Sequence, residues 1–285
     1  MAVYTPETKR TKKLRTLMSF VLFAILVAFS LSVNLKTNAF VLRDIKEQFV
    51  SYNYIEGVRE DAIGYANDLH RLNGVEQEGI EEALKYSDFE LMLDAYFGFN
   101  ITASANYSEE SYLETIDIIT DCFEENFTEQ LERQEKEYSK DQLATVVDNF
   151  RSHLIDLVTV DHLSEIKAVT NVGNFAANIG ISISLFLIAV TAVIIYYLGN
   201  KFRRYRSVRA ITTSFVAAGF YDVIIAILAH IVFCFKSIDI YPIYFREQMM
   251  DYIYHFLNAL MITGGALLFA AIALLTLTWK IRKGK

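Results

Sequence analysis

The stretch GFYDVIIAILAH, residues 219–230, places Asp222 and His230 inside a run that is otherwise apolar from 210 to 235. A carboxyl and an imidazole in such a run, with Thr191 in a neighbouring apolar run, could serve a signal, gating or contact with a partner, whereas a proton relay would need more titratable groups. An ionised acid at mid-membrane costs about 2.5–3.5 kcal/mol on insertion scales. No Lys or Arg lies at similar depth elsewhere, so the expected state is the neutral acid, bonded to Thr191, Ser184 or Thr263. The residues leave two roles open for Asp222, a functional one and a packing hydrogen bond. His230 lies two turns further on and some way round the helix, near Asn258 or His255, too far to touch the acid.

Other groups carry weaker chemistry. His153, Asp156, His162 and Glu165 hold the ligand types and i,i+3 spacings of a zinc site. In a segment this rich in acids, however, such pairs arise by chance and read first as a solvated face. Cys122 and Cys234 both fall where an oxidising compartment would permit a bridge, although two unpaired thiols is the first reading. Arg203, Arg204, Arg206 and Arg209 form a basic cluster suited to docking a partner. Asn100-Ile-Thr, Asn106-Tyr-Ser and Asn126-Phe-Thr are glycosylation acceptors in a secretory host. The short connections favour a bacterial membrane, where these sequons have no such use. No Walker loop, GxGxxG, HExxH, GxSxG or CxxC occurs, so no catalytic residue, cofactor or nucleic-acid partner is expected.

The elements that must position these groups are apolar runs. With 53% hydrophobic residues in 285, the chain exceeds the usual globular share of about 45–50%. Four segments, 17–33, 173–198, 210–235 and 255–279, are long enough at 1.5 Å per residue to cross a hydrocarbon layer of about 30 Å. Charge orients them. Residues 1–16 hold five bases and one acid, 199–209 hold five bases and no acid, and 280–285 hold four bases and no acid. Positive segments stay cytoplasmic, so both termini are expected inside a cell membrane. Residues 34–172 carry 29 acids and 11 bases and belong outside, as does the aromatic loop 236–254. The first run also resembles a cleavable signal peptide, with Ser30-x-Ser32 its only small-residue site.

Residues 34–172 read as a helical bundle. Prolines occur only at 6 and 242, and helix formers dominate. A helix is expected to continue from the first span to Leu72 and stop at Asn73-Gly74. Capping boxes are expected at Ser87–Glu90 and Ser139–Gln142, with a further start at Ser108 and a loop over 98–108. Ile116, Ile119, Cys122 and Phe123 form one stripe; Leu143, Val146, Val147, Phe150, Leu154 and Leu157 form another. A last helix from about Asp161 runs into the second span. Pro242 is expected to start a short interfacial helix, with a lip against the outer domain as the alternative. Small residues at four-residue spacing (Ala176, Gly180 and Ser184; Ala266 and Ala270) predict close helix packing.

The fold class is therefore an all-α membrane protein, with four transmembrane helices and a large extracytoplasmic helical bundle between the first two. In span order, and in the basic connection GNKFRRYRSVRAITTSFVAAGF, it resembles the FtsX- and MacB-type permeases. That resemblance implies a partner ATPase, although a connector of about ten residues and an all-helical outer domain depart from the family. The leading expectation is a non-enzymatic sensor or assembly factor, with the bilayer and a protein partner or second copy as its contacts. A permease-type subunit and a small channel or transporter are the alternatives. No inward segment exceeds about 16 residues, so signalling inward would go through another protein or through rearrangement of an oligomer.

Overall fold

In the computed structural model, which describes residues 9–39, 41–102, 106–160, 163–198, 204–235 and 242–283, every regular element is helical. The helices are α1 (Lys9–Asn34), α2 (Leu42–Phe49), α3 (Tyr52–Leu72), α4 (Ile80–Ala83), α5 (Tyr86–Phe97), α6 (Glu109–Arg133), α7 (Lys140–Val158), α8 (Leu163–Tyr197), α9 (Arg204–Phe235) and α10 (Ile243–Lys283). Four are long and apolar enough to cross a membrane: Lys9–Ala39, Lys167–Tyr197, Tyr205–Phe233 and Ile243–Lys280. The chain divides into two compact units. One comprises Met1–Val41, Thr170–Ser237 and Tyr252–Lys285; the other comprises Leu42–Val169 and Ile238–Asp251.

The spanning unit buries small and polar side chains. On α1, Leu22, Leu26, Ser30 and Asn34 recur every fourth residue. On α9 the buried positions include Thr212, Ser214, Ala218, Gly219, Asp222 and Ala226. Large apolar groups point outward instead: Phe175, Phe186 and Phe269 are exposed by 68%, 68% and 75%. An apolar exterior around a small-residue interior suits helices solvated by lipid. The sharpest contact joins α9 to α10. A Cβ on Gly219 would lie 2.7 Å from the Gly264 carbonyl oxygen, and one on Gly264 would lie 2.9 Å from that of Gly219. Gly180 admits Ser32 in the same way, its notional Cβ falling 2.5 Å from Oγ. The small-residue faces match the expected ones in part, since Gly180 packs closely and Ser184 is buried. Ala177 is buried rather than Ala176, and Gly264 and Ala271 rather than Ala266.

The second unit has an ordinary hydrophobic core. Phe89, Phe97, Phe123, Phe127 and Phe150 are fully buried with Ile55, Met92 and Leu154. Phe123 stacks on Phe150 with ring centres 4.1 Å apart. Both expected stripes lie on this core, through Ile116, Ile119 and Phe123 on α6 and Val146, Phe150 and Leu154 on α7.

Local chemistry sets the helix ends. α3 stops where Gly74 takes φ 66°, while Val75 N–H donates to His70 O (2.8 Å) and Gly74 N–H to Arg71 O (3.1 Å). That pair of bonds is the Schellman closure. Ser108 and Ser139 cap α6 and α7, each accepting a hydrogen bond from the backbone N–H three residues on.

Several expectations are corrected. Ser87 is no cap: α5 starts at Tyr86 after Lys85, and the Ser87 hydroxyl turns to Asp88. The helix expected from the first span to Leu72 is interrupted by a π-helical turn over Leu35–Ala39 and again between Phe49 and Tyr52, where Ser51 is extended. Part of the expected loop at 98–108 is also helical, a π-turn over Gly98–Thr102. The interfacial helix expected after Pro242 is instead the start of α10, continuous for 41 residues. Its first turns join the second unit. The Tyr244 ring lies over Gly57, where a Cβ would meet it at 2.4 Å, and Phe245 packs beside Phe49. Ser51 donates to Gln248 Oε1 (2.9 Å), and Gln248 also bonds Gln48.

Candidate functional site

Asp222 sits on α9 at the glycine crossing; a Cβ on Gly264 would come within 3.1 Å of its own Cβ. It is 1% exposed, and neither carboxyl oxygen has a hydrogen-bond partner. The anticipated bonds to Thr191, Ser184 and Thr263 are not made. Ser30 on α1 is the polar group that faces it, but the Ser30 hydroxyl donates to Thr263 Oγ1 (3.2 Å). Asn34 Nδ2 donates to the same oxygen (2.8 Å) and to Ser30 O (2.9 Å). These small polar groups tie α1 to α10 and leave the carboxyl outside their network. Buried polar groups are normally bonded, and this carboxyl is one of the exceptions. Thr191 is buried on α8, apart from these bonds. His230 lies against Tyr254 with ring centres 4.5 Å apart, its buried Nδ1 unpartnered.

The other candidates separate. His153 stacks on Tyr65 at 3.9 Å, and burial holds it below the ordinary imidazole range, opposed by Asp156 and Asp61. Glu165 is exposed and His162 lies outside the described residues; among the described residues no cluster of three or more His, Cys, Asp or Glu could hold a metal. Cys122 is a partly buried free thiol, raised by burial and by Asp88. The Cys234 side chain lies outside the described residues, as do Arg203 and the Arg204 side chain. Arg206 and Arg209 are described on the first turns of α9. The Asn126 sequon is unsuited to a glycan, because Nδ2 is buried and donates to Glu78 O (3.2 Å).

Two features escaped the sequence reading. One is His70, fully buried on α3 with Nδ1 donating to Ala66 O (2.9 Å) and its edge against Phe127. Burial lowers its proton affinity, opposed by Ala66 and by Asn126. The other is an acidic cleft of about 410 Å³ with Glu78, Glu82, Glu125 and Glu129 on its walls. It continues along α6 through Asp121, Glu124 and Glu132. The α6 heptad pattern gives away its buried face, and the run of acids opposite is the solvated one. Set against protein-family models, curated proteins and solved structures, the chain matches none.

Proposed function

We propose that this chain is a multi-pass membrane protein with both termini cytoplasmic, acting as a sensor or assembly factor through its second unit. That unit lies outside the cytoplasm in this reading and binds a ligand or protein partner without covalent chemistry. The observation that carries the reading is the make-up of the unit. Residues 42–169 and 238–251 pack as one body, and four crossings put the segments after the first and third spans on the same face. The three basic segments then share the opposite face, in agreement with positive-inside orientation. The acidic face of α6 favours a partner of positive charge.

Affinity purification of the full-length protein after cross-linking in native membranes, with mass spectrometry, tests this. Recovery of extracytoplasmic proteins or further copies of the chain supports the reading. Stoichiometric recovery of an ATPase would replace it with the permease-type alternative.

A further inference from the structure

The acidic cleft of the second unit, beside α4 and α6, sets Glu78, Glu82, Glu125 and Glu129 against only two cations, Lys85 and Arg133. Arg133 pairs with Glu129 (2.6 Å) and Glu78 (3.4 Å), which leaves Glu82 and Glu125 without an ion pair among the described residues. Water alone would satisfy such acids on an open surface. The base of the cleft is different. Its most buried lining side chain is Gln130, 2% exposed, whose Nε2 donates to Glu78 O (3.0 Å). Asn126, one turn earlier on α6, donates to the same oxygen through Nδ2 (3.2 Å). These bonds fix which end of each amide is nitrogen and which is oxygen. Asn126 has His70 as a polar neighbour, whereas Gln130 Oε1 is buried with no hydrogen-bond partner. A buried acceptor without a donor costs free energy that a donor entering the cleft recovers.

We propose that this cleft binds a primary alkylammonium group, which donates to Gln130 Oε1 and is neutralised by Glu82 and Glu125. The inference deepens the proposed binding role of the second unit and rests on that reading. An ammonium carries three N–H donors and no acceptor, so one buried carbonyl and two carboxylates answer it group for group. A metal ion suits the cleft less well, because among the described residues no cluster of three or more His, Cys, Asp or Glu could hold one. The acids that continue along α6, Asp121, Glu124 and Glu132, give the approach the same sign and raise the local concentration of cations. Two sources carry this head group. One is a free oligoamine, whose further nitrogens follow the acidic strip; the other is a lysine side chain of a protein partner.

The test is calorimetric titration of the full-length protein in phosphatidylcholine nanodiscs at about 0.15 M salt. The probes are spermidine, the peptide acetyl-Gly-Lys-Gly-amide, and the same peptide with its lysine trimethylated at Nζ. The trimethylated peptide keeps the charge and has no N–H to give, so wild type should bind it about tenfold more weakly than the lysine peptide. Gln130→Leu should abolish that preference, a change of ratio that a folding defect does not imitate. Glu82→Gln with Glu125→Gln should weaken spermidine and the lysine peptide about tenfold. Glu110→Gln with Glu114→Gln removes the same charge from α6, at least about 16 Å before Glu125 and beyond the screening length of about 8 Å, and should leave both unchanged. Tighter binding of spermidine assigns the site to a free amine, tighter binding of the lysine peptide to a partner's side chain, and either supports the head group. Equal affinity of wild type for the two peptides, equal losses in the two double variants, or displacement of the lysine peptide by equimolar calcium would overturn it. So would absence of binding by all three probes, even where cross-linking recovers extracytoplasmic proteins, which separates failure of the cleft from failure of the wider reading.

Discussion

The two units solve opposite problems with one alphabet. In the second unit phenylalanines are inside and acids outside; in the spanning unit Phe175, Phe186 and Phe269 are outside, and serine, threonine, glycine and one aspartate share the inside with leucine, isoleucine and alanine. In water the apolar ring gains by leaving solvent, at roughly 25 cal/mol per Å² buried. In lipid that gain vanishes, and close backbone approach with interhelical hydrogen bonds decides which face turns inward. The same residue type should therefore behave differently in the two places. Phe123→Ala is expected to destabilise the second unit by about 3–5 kcal/mol, read as early loss of protease resistance in that unit. Phe269→Ala should change thermal stability in detergent by less than about 0.5 kcal/mol. Comparable losses would break the contrast.

Adding volume sharpens it from the other side. Gly264→Leu forces a side chain into the Gly219 carbonyl and Val223, both 2.9 Å from its Cβ. It should weaken the packing of α9 on α10 by about 1–3 kcal/mol, seen as a lower melting temperature in detergent. Gly265→Leu, next to it but with nothing within 4 Å, should be tolerated.

Proton linkage belongs to the second unit. His70 and His153 both hold protons less well folded than unfolded, chiefly through burial. The unfolded chain therefore binds more protons below the ordinary imidazole value of about 6.5, and stability present above that pH is lost as pH falls. Each histidine contributes a slope of at most about 1.4 kcal/mol per pH unit. Denaturant midpoints of the second unit measured across this range should show the decline. His70→Gln should flatten it, and an unchanged slope would remove His70 as a cause.

The smallest expected effect is at Asp222. With no bond to lose, Asp222→Asn should leave stability within about 0.5 kcal/mol, measured by thermal melting in detergent. A fall in partner recovery at unchanged expression would give the acid a working role.

Legibility in the sequence follows the same division. In the second unit water separates polar from apolar faces, so the stripes on α6 and α7, the starts at Ser108 and Ser139 and the stop at Gly74 could be read from residue types. The break before Tyr52 could not, because Ser51 is extended without the side-chain bond that would have announced a cap. The spanning helices were visible as elements from length and hydropathy. Their facing was not: where every residue is apolar, periodicity is silent, and the inward positions shifted from Ala176 to Ala177 and from Ala266 to Gly264. Asp222 stood out by type alone, yet its missing partner depends on where Ser30 and Thr263 spend their hydroxyls.

The membership of Ile238–Asp251 in the second unit has a consequence in time. A ribosome adds about 5–20 residues per second, so the roughly seventy residues from Val169 to Ile238 take several seconds to emerge. Until then Phe49 lacks Phe245, Gly57 lacks Tyr244, and Gln48 and Ser51 lack Gln248. The acidic unit is thus the first large piece to be synthesised and among the last to be finished. Its completion waits on production of the second and third spanning helices, so a nascent chain stalled before Tyr244 would hold an open, protease-sensitive unit.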